Sequence, residues 1–169
     1  MIERYSRKEL KDIWSEENKY KIWLEVEIAA AEAMEKFKII PKGVSSIVKK
    51  KGKIKVKRIH DIEAKVKHDV IAFLTSITEQ AGIKARYLHQ GMTSSDVLDT
   101  SFNIQLMQSG KIILKDIDKI LIVLKRQAKK YKMTPCIGRS HGIHAEPITF
   151  GLKLASFYEE FKRNKLRLK

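Results

Sequence analysis

Apolar residues recur along most of the chain at the three- and four-residue spacings of amphipathic helices. A long helical pattern covers residues 16–37, and shorter helical patterns follow it. Pro41 and Gly82 interrupt this series of patterns. Almost no segment alternates apolar and polar residues as a half-buried strand would. The pattern therefore predicts an all-α fold. The apolar stripe predicted for residues 16–37 consists of Ile22, Val26, Ala29, Ala30, Ala33, Met34 and Phe37.

Two segments interrupt the helical pattern. Residues 82–96 and residues 133–147 both carry glycines, which predicts irregular loops. A dense apolar stretch from Ile112 to Leu124 lies between them, and a last helical pattern begins near Thr149. No stop signal follows that pattern before Lys169. We therefore expect the sequence to be part of a longer protein.

The chain is strongly basic, with a formal net charge of +15, and residues 49–58 hold seven basic residues and no acid. This balance favours anionic partners such as nucleic acids or phosphorylated and carboxylated small molecules. Because lysine is also common on solvated helix faces, we interpret residues 49–58 as an exposed segment. A basic helical nucleic-acid-binding module is an alternative. Aromatic residues make up only 8% of the chain and no known docking motif is present, so we expect no nucleic-acid partner.

The sequence shows no sign of secretion or membrane insertion. Its apolar runs are too short to cross a bilayer, and its charged opening differs from a signal peptide. Cys136 is the only cysteine, so no internal disulfide can form. We therefore expect a cytoplasmic protein with no membrane partner.

Two short charged motifs are the first candidates for a functional site. Arg4 offers a planar set of donors for phosphate or carboxylate, and Tyr5 adds a hydroxyl. In the second motif, Asp69 can orient the imidazole of His68, and Lys67 adds a positive charge. Motifs of this kind are also common on ordinary surfaces, where Asp69 would be a helix cap. Alone, neither motif indicates a site.

The third candidate is the segment from His89 to Asp96, HQGMTSSD. Its glycine allows the backbone to approach a ligand closely. Thr93 and Ser94 supply hydroxyls at a predicted helix N-terminus, where free amide groups and the helix dipole favour an anion. A carboxylate or phosphate would bind well there, and an ordinary capped helix is an equally good alternative.

The fourth candidate is the segment GRSHGIHAEP at residues 138–147. A histidine titrates near neutrality, so His141 or His144 can donate a proton to a leaving group. Glu146 can hold one imidazole in its charged form. Metal binding through the two histidines is a weaker alternative, because no second cluster of ligands is present.

These four places, in this order and spacing, resemble the fumarase/aspartase superfamily, and within it the adenylosuccinate lyases. The resemblance rests on the opening MIERYSR, on KHDV at 67–70, on HQGMTSSDV at 89–97 and on GRSHGIHAEPITFG at 138–151. Each motif alone is only suggestive, whereas the set is specific. The resemblance extends over the whole chain without large gaps.

The resemblance implies an enzyme of purine biosynthesis that performs a β-elimination. The reaction releases fumarate from adenylosuccinate to give AMP, and the same cleavage converts SAICAR to AICAR. A base removes the proton, donors stabilise the charge that develops on a carboxylate, and an acid protonates the leaving nitrogen. The resemblance implies neither a metal nor an organic cofactor. Another fumarate-releasing lyase of the superfamily is the alternative.

The resemblance also implies roles for the candidate residues. His141 would be the general acid, flanked by Ser140, with Glu146 orienting or charging the local imidazoles. His68 would support catalysis. The two hydroxyl residues of the third segment would bind the succinyl carboxylate. The implied substrate-binding residues are Arg4, Tyr5, Lys67, His68, Asp69, His89, Thr93 and Ser94.

The family architecture implied by the resemblance is a three-part helical protein that forms a homotetramer with active sites shared between subunits. Residues 1–110 would form the amino-terminal helical domain, and residues 111–169 would begin the central long-helix bundle. A helix break at Gly110 would mark the boundary. His68 and His141 would enter one site from different subunits.

The sequence departs from the family pattern in two respects. Lys67 stands where the family more often has arginine, so the charge is kept but the two-pronged donor geometry is lost. The family's proton-abstracting serine lies on a mobile loop that would follow position 169, together with further substrate-binding residues.

We predict that the 169-residue chain alone has no useful lyase activity, because the general base would be missing. One acid–base group supplies about 10²–10⁴-fold, and one charge-stabilising donor supplies about 10²–10³-fold. Fumarate release by the isolated chain is the measurement, and turnover near that of a complete enzyme would contradict the prediction.

Overall fold

The computed structural model describes residues 2–169, except the side chain of Glu3. Within this range the chain divides into two compact units, one ending at Gln108 and the other formed by Ser109–Lys169. Helices dominate both units, and the sheet found in this range has only two strands. The all-α prediction is therefore confirmed as the fold class.

Seven α-helices lie within the described range. In chain order they are α1 (Lys8–Ile13), α2 (Glu16–Lys36), α3 (Val44–Lys51), α4 (Val56–Val66), α5 (Asp69–Ala81), α6 (Ser94–Lys130) and α7 (Phe150–Leu168). The strands β1 (Pro135–Ser140) and β2 (Ile143–Thr149) lie between the last two helices, and short 3₁₀ helices cover Glu3–Tyr5 and Ile83–Tyr87.

Three aromatic rings lie at the centre of the first unit. Tyr20 stacks on Phe73 with ring centroids 5.9 Å apart, and Trp23 packs edge-on against both rings. Such pairs contribute about 0.5–1.5 kcal/mol beyond the area they bury. Burial raises the pKa of Tyr20 to about 12. The indole N–H of Trp23 donates to Ser101 Oγ at 2.9 Å, so this buried donor is paired.

The buried face of α2 differs from the predicted stripe. Of the predicted positions, only Ile22 is fully buried, and Phe37 is 73% exposed. The prediction was wrong because it left out four apolar residues of the buried face, and also a charged residue, Glu27, which lies within that face and is only 1% exposed. The buried residues of α2 are Tyr20, Ile22, Trp23, Leu24, Glu27 and Ala31.

The start of α3 is capped by a side chain from another helix. Its own N-cap residue, Gly43, has no side chain to offer and adopts φ 91°. The Glu35 carboxylate, at the end of α2, accepts hydrogen bonds from the Ser45 amide at 2.6 Å and the Gly43 amide at 3.2 Å. The Ser45 bond is the main reason that the pKa of Glu35 is lowered from its usual 4.5. Glu35 thus ties the end of α2 to the start of α3.

The basic segment at residues 49–58 is exposed, as predicted: all seven of its lysine and arginine side chains face solvent. Arg58 pairs with Glu79, and Lys57 pairs with Asp61. The segment is followed directly by Ile59, which is fully buried in the core of the first unit.

The predicted helix break at Gly110 is not present. Helix α6 continues through this residue from Ser94 to Lys130. A single glycine inside a helix costs only about 1 kcal/mol relative to alanine, so a long helix with good flanking residues tolerates it.

The second unit contains a β-hairpin where an irregular loop was predicted. Strand β1 pairs antiparallel with β2, from Pro135 opposite Thr149 to Ser140 opposite Ile143. The register shifts between Ile137 and Arg139, where the backbone lacks regular pairing. The prediction was wrong because the glycines of the segment were interpreted as loop residues, whereas they serve a tight turn and this irregularity.

Helix α7 lies antiparallel beside the part of α6 that belongs to the second unit. The amide of Gly151 donates to the Tyr131 carbonyl at 2.9 Å, and Lys165 forms an ion pair with Asp118. A Cβ at Gly151 would come within 2.5 Å of the Ala128 carbonyl oxygen. Only glycine therefore allows this close approach of the two helices.

Within residues 2–169, no helix is both long and apolar enough to cross a bilayer.

We predict that Glu35→Gln destabilises the first unit by about 1 kcal/mol, the typical effect of losing a helix cap. Because the pKa of Glu35 is lowered in the folded state, its stabilisation is present above the unfolded value of 4.5 and is lost as the pH falls through the folded value. Denaturant unfolding at a series of pH values measures the effect.

The control for this prediction is Glu32→Gln, which changes an exposed glutamate on the same helix. A difference between wild type and Glu35→Gln that persists undiminished at low pH would contradict the capping interpretation.

Candidate functional site

The third candidate segment forms the start of α6. The Thr93 amide donates to Asp96 Oδ2 at 2.8 Å, and the Asp96 amide donates to the Thr93 carbonyl at 3.0 Å. The carboxylate of Asp96 thus accepts a hydrogen bond from the backbone amide of Thr93, as the acidic residue of a capping box does. Within residues 2–169, neither the Thr93 nor the Ser94 hydroxyl makes a hydrogen bond. Both hydroxyls are therefore available to a ligand at a helix N-terminus, where the dipole favours an anion.

His89, which precedes this start, is held by a buried carboxylate. Its backbone adopts the left-handed conformation, with φ 62°. Glu27 Oε2 accepts from the His89 amide at 2.9 Å, and Glu27 Oε1 lies 2.6 Å from the ring nitrogen Nδ1. The Glu27 side chain is fully buried, whereas that of His89 is 19% exposed. Because a carboxylate only accepts hydrogen bonds, Nδ1 is the donor and Nε2 is left for another partner.

His68 lies between two helices and caps the second. Lys67, the last residue before it, ends α4 in the left-handed conformation with φ 55°. His68 is the N-cap of α5, and its Nδ1 accepts from the Ile71 amide at 3.4 Å. Accepting at Nδ1 places the proton of the neutral ring on Nε2. Asp69 Oδ1 accepts from the Val70 amide at 2.7 Å and lies 3.6 Å from His68 Nδ1. The cap is therefore His68, and not Asp69 as in the alternative interpretation of this motif.

Arg4 and Tyr5 form the short 3₁₀ helix at the start of the chain. The guanidinium of Arg4 lies 4.7 Å from the centroid of the Tyr5 ring, and the ring is 73% exposed. This contact leaves the donors of Arg4 and the hydroxyl of Tyr5 accessible.

His141 occupies the tip of the β-hairpin in the second unit. His141 (φ 52°) and Gly142 (φ 78°) are the two residues between the paired Ser140 and Ile143. Two positive φ values in a two-residue loop are typical of a type I′ turn, in which asparagine and glycine are favoured. His141, Ser140 and Glu146 are all exposed, so the hairpin presents them outward.

The sequence-predicted residues make local contacts. Within the described residues, no hydrogen bond or ion pair connects the Arg4–Tyr5 pair, the segment 67–69 and the segment 89–94 to one another. Each group is instead fixed by its own helix terminus or turn. His141 belongs to the second unit and the other groups belong to the first.

Glu27 is the polar residue that sequence reasoning missed. The signal that identifies it is an acid at the centre of an apolar helix face, between Trp23 and Ala31. A fully buried carboxylate needs hydrogen-bond donors, and in this structure both come from His89.

His141 and His144 were the candidate metal ligands of the hairpin segment. Among the described side chains, no group of three or more His, Cys, Asp and Glu residues is arranged to hold an ion. Cys136 is half-buried on β1 and its thiol contacts only the Ile137 carbonyl, at 3.7 Å.

A protein-family model described as "Lyase" matches residues 3–169, which is nearly the whole chain. The chain belongs to this lyase family. The family resemblance predicted from the four motifs is therefore confirmed.

Two curated relatives of this lyase-family chain are adenylosuccinate lyases. The one from Thermotoga maritima is 48% identical over 168 residues, which are 99% of this chain and 39% of the relative. The one from Bacillus subtilis is 45% identical over 169 residues, which are 100% of this chain and 39% of the relative. The chain thus spans about 39% of the length of the curated relatives it matches.

Solved structures share the fold of this lyase-family chain at lower identity. A fumarate lyase from Mesorhizobium sp. BNC1 superimposes with a TM-score of 0.87 at 27% identity, over 94% of this chain and 38% of the other. The 3-carboxy-cis,cis-muconate lactonizing enzyme from Pseudomonas putida superimposes with a TM-score of 0.90 at 26% identity, over 97% and 39%.

The capping role of His68 predicts a difference between two substitutions. His68→Ala removes the acceptor at the start of α5 and should lower the free energy of unfolding by about 0.5–1 kcal/mol, whereas His68→Asn retains an acceptor at a position that favours asparagine. Denaturant unfolding of both variants is the measurement. Equal destabilisation by the two substitutions would show that the ring, and not the cap, stabilises this terminus.

Proposed function

We propose that the full-length protein is an adenylosuccinate lyase. It eliminates fumarate from adenylosuccinate to give AMP, and from SAICAR to give AICAR. The observation that carries this proposal is the near-complete alignment of the chain with two adenylosuccinate lyases, at 48% and 45% identity, against 27% and 26% for the two solved structures described above. The motif residues also lie at helix termini and a turn, where their polar atoms are available to a substrate.

The start of α6 is suited to the succinyl carboxylate of the substrate. Thr93 and Ser94 supply two unengaged hydroxyls beside the first amides of a long helix. Elimination places additional negative charge on the carboxylate next to the carbon that loses its proton. Donors aimed at this charge stabilise the transition state more than the ground state, which is the requirement for a faster reaction.

The two histidines of the proposed mechanism present different nitrogens to their surroundings. His68 accepts at Nδ1, which leaves an N–H at Nε2 for the substrate or for a second imidazole. His141 lies at an exposed turn with neither ring nitrogen committed within the described residues, so its ring can donate a proton to the leaving nitrogen. His141 is therefore assigned as the general acid, with His68 in a supporting role.

The remaining residues of the proposed site would bind the nucleotide. Arg4, Tyr5, Lys67, Asp69 and His89 would surround the phosphate and the purine, with Ser140 and Glu146 beside His141. Lys67 supplies a point charge where an arginine would supply a fork of donors, so its contact with phosphate depends less on angle.

The proposed assembly is a homotetramer in the cytoplasm. In it, residues 1–110 are the amino-terminal domain and residues 111–169 begin the central bundle, and each active site combines residues of several subunits. Exposed apolar side chains on α6 and α7 support burial against further helices: Ile122 is 68% exposed and Leu152 is 61% exposed.

A second candidate is another fumarate-releasing lyase, and the similarity to a solved fumarate lyase favours it. The two candidates differ in substrate. A panel of adenylosuccinate, SAICAR, argininosuccinate, aspartate and malate therefore discriminates between them. Turnover restricted to adenylosuccinate and SAICAR would support the proposed function. Turnover of another compound of the panel would support the alternative.

The role of His141 is tested by His141→Asn in the full-length protein. Asparagine followed by glycine is favoured in a type I′ turn, so the hairpin should remain intact while the imidazole is lost. We predict a fall in kcat of about 10²–10⁴-fold, the range for a general acid. Steady-state cleavage of adenylosuccinate is the measurement.

The matched control is His60→Gln, because His60 is an exposed histidine on α4 whose ring contacts Glu16. This control should retain wild-type turnover. If His141→Asn also retained it, His141 would not be the general acid.

A further inference from the structure

The contact between Glu27 and His89 joins two parts of the first unit that are 62 residues apart in sequence. Glu27 lies on α2, inside the core and next to the aromatic cluster, and its side chain has no exposed surface. It accepts two hydrogen bonds from His89, one from the backbone amide and one from the ring. This pairing differs from the other histidine–carboxylate contacts of the chain, because at His60–Glu16 and His68–Asp69 both side chains are more than 40% exposed.

Because Glu27 is buried, only a few neighbouring groups can donate hydrogen bonds to its carboxylate. An ionised carboxylate without solvent needs donors at each oxygen, and His89 supplies both. The Glu27 side chain is anchored in a helix, so its oxygens are at fixed positions. They therefore define where the His89 amide and the His89 ring must lie.

The contact with Glu27 holds the backbone of His89 in an unfavourable conformation. A left-handed conformation is unfavourable for a residue with a Cβ, and here φ is 62°. The hydrogen bond from the His89 amide to Glu27 offsets that cost. The turn continues through Gly91 (φ 71°), and the Met92 amide donates back to the His89 carbonyl at 3.3 Å. Thr93 and the start of α6 follow directly, so the position of His89 determines the approach to the proposed anion site.

The ring contact also determines which nitrogen of His89 is available. Donation from Nδ1 to Glu27 leaves Nε2 as the nitrogen that faces other partners.

We propose that Glu27 is a positioning residue, which holds His89 so that Nε2 is directed to an anionic group of the substrate and the start of α6 is held in register with it. This inference rests on the proposed function and adds a residue of the buried core to it. Glu27 does not touch the substrate. It acts through His89.

The test is a double-mutant cycle in the full-length protein with Glu27→Gln and His89→Asn, singly and together. Glutamine has nearly the shape of glutamate but lacks its charge and has only one accepting oxygen. Asparagine tolerates the left-handed backbone of position 89. Steady-state cleavage of adenylosuccinate gives kcat and KM, and circular dichroism and thermal unfolding establish that each variant is folded. Glu25→Gln, an exposed glutamate of the same helix, is the matched control.

We expect Glu27→Gln to lower kcat/KM by about tenfold to a hundredfold, the order of a small misplacement of a substrate-contacting group. In the His89→Asn background the same change should have less than about a threefold further effect, because residues that act as a unit are not additive. Equal effects of Glu27→Gln in both backgrounds would overturn the proposal and assign Glu27 a general structural role.

A second readout does not depend on turnover. In protein with ¹⁵N-labelled histidine, at a pH where the ring is neutral, the His89 signals should show the proton on Nδ1, and His89→Asn identifies those signals. Glu27→Gln should reduce this preference. A proton on Nε2 in the wild type would overturn the proposal. If wild type failed to cleave adenylosuccinate, the proposed function alone would fall, and the ring tautomer would still decide whether Glu27 positions His89.

Discussion

One buried carboxylate connects the core of the first unit with its candidate site. Glu27 interrupts the apolar face of α2, and its two oxygens bind the amide and the ring of His89. Placing a charge among apolar side chains is costly unless its hydrogen bonds are satisfied. The residues that satisfy it are therefore confined to one arrangement. In this unit, the arrangement includes a strained histidine backbone and the first turn of the longest helix.

The candidate residues share a structural principle, since they occupy the ends of regular elements. His68 caps α5, Thr93 and Ser94 begin α6, and His141 lies in the tight turn of a hairpin. At such positions backbone donors are incompletely paired and side chains project from a rigid element. Positive φ values at Lys67, His89 and His141 accompany this arrangement, and bulky residues in that conformation are often found at functional sites.

The sequence predicted the helical class, the exposed basic segment and the motifs, because each depends on local periodicity or composition. It did not predict what depends on distant contacts. The burial of Glu27 on α2 was missed because its partner lies at position 89, and no periodicity rule places an acid in a core. The cap of α3 likewise comes from Glu35, outside that helix. The hairpin was missed because His141–Gly142 serves as its turn, whereas hairpin rules look first for asparagine or aspartate before glycine.

The proposed lyase activity is tested by product analysis of the full-length protein with adenylosuccinate as substrate. Fumarate and AMP should appear in equal amounts, and added chelator should have no effect on their formation. Absence of both products, with fumarate released from a different substrate of the superfamily, would contradict it.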